Sequence, residues 1–147
     1  MTQKEKDLLF KDICARLPYG VKISVESWDG KEQGFVDKVD VLYSVNKDEY
    51  IKSTNEDYDF SIEDVKPYLF PLSSMTEEQY EEMEKLVSED YLENIQVMKE
   101  MREKVEFITH WPLYSPKVID WFNKNHFDYR GLIPMGFAIN AIGKNIY

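Results

Sequence analysis

The sequence predicts an α+β protein in which an N-terminal helix and a small antiparallel sheet precede a helical C-terminal half. Three changes of hydrophobic period carry this expectation. Apolar residues recur every third or fourth position up to residue 17, alternate between residues 21 and 54, and return to steps of three or four from residue 76. With 147 residues, 43% of them hydrophobic and 14% aromatic, the chain has enough apolar surface for one domain with a real core. The expected division is a helix over 1–19, a β part over 20–72 and a helical part with an apolar tail over 73–147.

The first helix spans about residues 3 to 16, because Leu9, Ile13 and Leu17 recur at helical spacing beside Phe10 and Cys14. Pro18 and Gly20 end it. Val21, Ile23 and Val25 then alternate with polar residues, and Trp28 leads into the turn pair Asp29-Gly30. A second strand covers Phe35 to Val45 and a third Tyr50 to Thr54, with a short fourth near Tyr58 to Phe60. Ser61 is expected to cap a helical turn through Val65. Several short strands closed by one such turn suggest an SH3-like barrel or a strongly coiled sheet. Thr76 and Gln79 then form a capping box that opens a helix. The apolar spacing from Tyr80 to Ile108 allows either one long helix or a break at Ser88-Glu89-Asp90. Trp111-Pro112 ends that run, Ser115-Pro116 starts another helix with Val118, Ile119 and Phe122 on its apolar face, and Asn125 stops it. The Gly-punctuated tail is expected to pack back on the body.

Three segments, Asp12-Ile-Cys-Ala-Arg-Leu-Pro-Tyr-Gly-Val-Lys, Ile62-Glu-Asp-Val-Lys-Pro-Tyr-Leu-Phe-Pro-Leu-Ser-Ser-Met-Thr-Glu-Glu and Asn123-Lys-Asn-His-Phe-Asp-Tyr-Arg-Gly-Leu-Ile, lie near the start, middle and end of the chain. On these segments it resembles a group of small uncharacterised proteins encoded in gut Bacteroides genomes and in their phages and mobile elements. The resemblance implies a bacterial or phage setting and a common architecture. It brings no activity and no catalytic residue with it.

Charge narrows the function classes. The formal net charge is -10, and the acid sits in the middle of the chain: residues 46 to 64 carry -5 and residues 76 to 106 carry -7. Non-specific attraction to nucleic acid or to an anionic membrane has the wrong sign. No apolar run reaches the length of a spanning helix, and the N-terminus lacks the pattern of a secretory signal, so a cytoplasmic location without membrane contact is expected. One cysteine, Cys14, and two histidines do not assemble a Cys/His zinc site, and no metal or cofactor is expected. Cys14 is expected to act as a small hydrophobe on the apolar side of its helix.

The densest chemical cluster is His126, Asp128, Tyr129 and Arg130. A carboxylate two residues from an imidazole, beside a guanidinium, is a minimal set for acid–base work or anion binding. The same residues also suit purely structural roles, with Asp128 capping the following turn, His126 ending a helix where a cation is favoured, and Arg130 paired with the acidic body. The i, i+4 carboxylates Glu77, Glu78, Glu81 and Glu82 read as a solvated face at a helix N-terminus rather than a cation site. No Gly-rich phosphate loop or hydrolase motif is present.

Ten of the 21 aromatic residues are tyrosines, a type enriched at interfaces. The expectation is therefore a non-enzymatic interaction protein. Its contact residues are Trp28, Tyr50, Tyr58, Trp111 and the His126, Asp128, Tyr129, Arg130 segment; it has a protein partner and does not contact nucleic acid directly. The seam over 91–108 is read as core or as a homo-oligomer surface. An alternative is an acidic decoy, in which the acids of residues 48 to 64 mimic a nucleic-acid backbone and occupy the cleft of a host defence protein. A further alternative is a small hydrolase built on His126 and Asp128.

Overall fold

A computed structural model describes residues 1–29, 31–86 and 116–147. The expectations placed on Trp111, on the 91–108 seam and on a break near residue 88 fall outside those residues. The described chain is α+β. Helix α1 (Gln3–Arg16) is followed by strands β1 (Lys22–Asp29), β2 (Gly34–Val45), β3 (Tyr50–Ser53), β4 (Phe60–Ser61) and β5 (Lys66–Leu69). Helices α2 (Glu77–Leu86) and α3 (Pro116–Lys124) come next, and the two-residue strand β6 (Ile139–Asn140) comes last.

The period-2 segments become strands at the expected places, but they do not close into a barrel. The sheet is open, with the order β4-β3-β2-β1-β5-β6, and it is mixed: β5 pairs with β6 in parallel while the other pairs are antiparallel. Among the described residues the edge strands β4 and β6 do not pair with each other, and β1 meets β5 over only two register positions, Ile23 opposite Pro67 and Ser24 opposite Lys66. Proline has no N–H to extend the ladder. The sheet still coils strongly. The segment after β3 turns back so far that the Tyr58 hydroxyl donates to the backbone oxygen of Glu26 on β1 (3.2 Å), although β4 lies three places from β1 in the sheet.

Alternation sorts β1 and β2 into two faces. Ile23, Val25 and Ser27 of β1 are buried, with Asp40 and Leu42 of β2. Onto this inner side packs α1, whose Leu9 and Ile13 join Ile51, Phe60, Ile62, Val65 and Leu69 in a mainly aliphatic core. Each such side chain contributes roughly 1.5–3 kcal/mol by leaving water. The buried stripe of α1 is Leu9, Asp12, Ile13 and Arg16, so Cys14 lies outside it and is exposed, not a core hydrophobe as the sequence suggested. One residue step turns a helix by about 100°, which takes Cys14 off the stripe held by Ile13.

A second core is aromatic and belongs to the helices. Met75, Tyr80 and Met83 of the α2 region meet Val118, Trp121 and Phe122 of α3, with Phe127 and Tyr129 beyond it. The Thr76–Gln79 capping box forms in both directions, at 2.9 and 3.3 Å. Ser61 precedes a 3-10 turn, Ile62–Asp64, but its side chain makes no cap bond, which corrects the expected role. The tail packs back as expected, through β6 and the Ala141 N–H bonded to the Leu69 carbonyl at 2.9 Å. No helix among the described residues is long and apolar enough to cross a membrane.

Candidate functional site

The densest chemical cluster forms where α3 ends. Its last turn closes as a Schellman motif: Phe127 N–H bonds the Phe122 carbonyl at 3.0 Å and His126 N–H bonds the Asn123 carbonyl at 3.2 Å. His126 takes the left-handed position (φ 58°), one that glycine usually fills and histidine tolerates better than most residues. The next backbone groups clamp Phe70 after β5: Phe70 N–H bonds the His126 carbonyl at 2.9 Å, and Asp128 N–H bonds the Phe70 carbonyl at 2.8 Å.

Asp128 caps the following turn, as the sequence suggests. Its two carboxylate oxygens accept from the backbone N–H groups of Leu132 and Ile133, both at 2.8 Å. Burial raises its pKa above the ordinary carboxylate value, with Asp12 adding to the effect against those two amides. His126 instead stacks on Tyr147, ring centroids 4.2 Å apart. Burial, with the charge of Arg16, pushes its pKa down to about 4. The imidazole is therefore neutral at pH 7, which corrects the expectation of a cation at the helix end. The His126 imidazole and Asp128 carboxylate are thus engaged with different partners.

Beneath this turn sits a charge cluster that the sequence reading missed. Arg16, with no exposed surface, donates to Asp12 through Nε (2.7 Å) and Nη2 (3.0 Å), and Nη2 also reaches the Phe127 carbonyl at 2.8 Å. Arg130 Nε completes an ion pair with Asp12 Oδ1 at 3.2 Å, a partner on α1 rather than in the acidic middle of the chain. The two guanidinium carbons lie 5.6 and 4.8 Å from the Tyr129 ring centre. This network joins α1 to the chain after α3. The Tyr19 hydroxyl adds a second tie by donating to Asp120. Asp128 and Tyr129 are each only 5% exposed, so the structure gives them capping and packing roles and removes them from the contact surface.

Beside His126 runs a groove of about 610 Å³, lined among others by Phe70, Thr76, Gln79, Phe127 and Tyr147. The Tyr147 hydroxyl is tied up, donating to the Tyr68 carbonyl at 2.8 Å and accepting from Lys22 N–H at 3.0 Å; burial pushes its pKa up to about 12.

The outer face of β1 and β2 is different in kind. Trp28 and Phe35 stand opposite each other in the register and meet edge to face, centroids 5.4 Å apart, yet they are 54% and 62% exposed. Val39, on the same face of β2, is exposed too, and exposed Tyr43 and Tyr50 follow along the sheet. Tyr58 is exposed on the turned-back segment. Of the residues expected to make contacts, Trp28, Tyr50 and Tyr58 are thus at the surface. The sequence reading missed Phe35, Val39 and Tyr43. The turn pair gave no signal for Phe35: a two-residue turn at Asp29-Gly30 would set residue 35 opposite residue 24, whereas the strands pair Asp29 with Gly34 and so Trp28 with Phe35.

No family model, curated protein or solved structure matches the chain.

Proposed function

We propose that this chain is a non-enzymatic protein-interaction module of a bacterium or of its phages or mobile elements, working in the cytoplasm and engaging a protein partner through the outer face of β1 and β2. The observation that carries this reading is the paired exposure of Trp28 and Phe35. Large aromatic side chains left in water on one face of a sheet are a common mark of an interaction surface. The engagement of Asp128 with backbone amides favours a non-enzymatic role, because its carboxylate is taken up by the turn and does not orient the His126 imidazole.

The decoy reading is less favoured. Lys6, Lys38 and Lys52 pair with Glu63, Glu56 and Asp59 at 2.7, 3.7 and 3.9 Å, so part of the acid between residues 48 and 64 is already matched internally. The test is capture from a gut Bacteroides lysate with tagged wild type and with the Trp28→Ala/Phe35→Ala variant, washed at low and at high salt. A partner kept by wild type through high salt and lost by the variant supports the reading. Equal capture by both proteins overturns it, and a salt-labile partner bearing a basic nucleic-acid cleft moves the assignment to the decoy.

A further inference from the structure

The exposed face of β1 and β2 carries charge as well as aromatic surface. Glu26 stands directly opposite Asp37 in the register, one step along the strands from the Trp28–Phe35 pair and on the same face. Both are exposed. Like charges directly opposite each other destabilise a strand pair, and a ribbon selected only for stability avoids them. Among the described residues neither carboxylate ion-pairs with a lysine or arginine; the lysine next to Asp37, Lys38, points to the inner side and bonds Ser27 Oγ at 2.9 Å. Two residues along a strand span about 7 Å, so one long cationic side chain is able to lie on the rings and reach both carboxylates.

We infer that the occupant of this face is a basic segment of a partner protein that presents an arginine side chain, its guanidinium stacked on the Trp28 ring, which Phe35 meets edge to face, and paired with Glu26 and Asp37. The inference rests on the interaction reading above and names the chemistry of the partner. Arginine fits better than lysine because its planar guanidinium both stacks on aromatic faces and forks between carboxylates. A second copy of this chain fits poorly on charge, since the net charge is -10 and each copy would bring the same two carboxylates.

The probe is a hexa-arginine peptide, titrated calorimetrically against wild type and three variants, with a hexa-lysine peptide alongside. Trp28→Ala should weaken hexa-arginine binding about tenfold, and Glu26→Gln/Asp37→Asn by at least as much. Glu81→Gln/Glu82→Gln removes the same charge from the exposed face of α2 and should change binding less than about twofold. Hexa-lysine should bind more weakly than hexa-arginine to wild type. Equal losses in the Glu81/Glu82 and Glu26/Asp37 variants would mean attraction to net charge alone and would overturn the inference, as would indifference to Trp28→Ala. If the arginine arm fails while the Trp28→Ala/Phe35→Ala variant still loses its lysate partner, the face binds another chemistry and only the arginine assignment falls. If both fail, the interaction reading falls with it.

Discussion

Two groups of aromatic side chains, one in each half of this molecule, have opposite fates. Trp121 stacks on Phe127 with centroids 5.6 Å apart, Phe122 stacks on Tyr129 at 5.5 Å, and all four are buried. Trp28 and Phe35 meet edge to face at 5.4 Å, much as the buried Trp121 and Phe122 do at 5.6 Å, but stand in water. Pair geometry alone therefore does not distinguish a packed core from a surface. What differs is whether another layer covers the face. In the helical half α2 lies against α3, and the charge cluster of Asp12, Arg16 and Arg130 draws α1 onto the chain beyond it. In the β-ribbon, among the described residues, α1 covers the inner side while Trp28 and Phe35 on the outer side stay exposed.

The largest effect should come from breaking the tie beneath the buried aromatics. Asp12→Ala leaves Arg16 buried without its counter-ion, which should destabilise the fold by about 3–5 kcal/mol in urea unfolding. A loss below about 1 kcal/mol would show that the charge cluster does not hold α1 to the helical half. Phe122→Ala should lose a similar amount, about 3–5 kcal/mol, through the cavity it leaves between Trp121 and Tyr129. The comparison breaks if Phe35→Ala loses as much.

The helical half should also carry a pH dependence of its own between about 4 and 6.5. The folded-state pKa of His126, about 4, lies below its ordinary 6.5, so the unfolded chain takes up the proton first as pH falls. The contribution is fully present above pH 6.5 and is lost progressively down to about 4, opposed in part by Asp128, whose raised pKa acts in the other direction. After discounting for partial exposure it is about 1–2 kcal/mol. His126→Asn keeps a residue that tolerates the left-handed backbone and removes the titration. Its stability should fall less steeply than that of wild type between those pH values, and parallel curves would contradict a buried neutral imidazole.

Period and turn signals made the first half legible. Alternation from Val21 to Val25 and from Phe35 to Val45, with Asp29-Gly30 between, places β1 and β2 within a residue or two of their observed ends. The open, mixed sheet was not legible, and the short strands suggested an SH3-like barrel or coiled sheet instead. β5 contains Pro67, which reads as a strand breaker, and β6 is two residues long and separated from β5 by about 70 residues of chain. The Asp12–Arg16 pair was hidden for another reason: an i, i+4 ion pair on a helix ordinarily marks a solvated face, and here the chain returns to it through Phe127 and Arg130, a long-range contact that spacing does not show. Tyr129 looked like a contact residue for the same want of information, because tyrosine suits a core and an interface equally.

A smaller effect bears on the ribbon itself. Tyr58→Phe removes the hydroxyl donated to the Glu26 carbonyl and should cost about 0.5–1 kcal/mol, measured by urea unfolding, with hydrogen exchange speeding up near Glu26. An unchanged exchange rate would mean that this bond does not hold the turned-back segment against β1.

The measurement that tests the central claim most directly is the unfolding free energy of Trp28→Ala/Phe35→Ala against wild type in urea. A sheet face whose aromatics serve binding rather than folding should lose less than about 1 kcal/mol when both rings are truncated. A loss of several kcal/mol, of the size expected for Phe122→Ala, would show that these rings belong to the packed interior and would contradict the account.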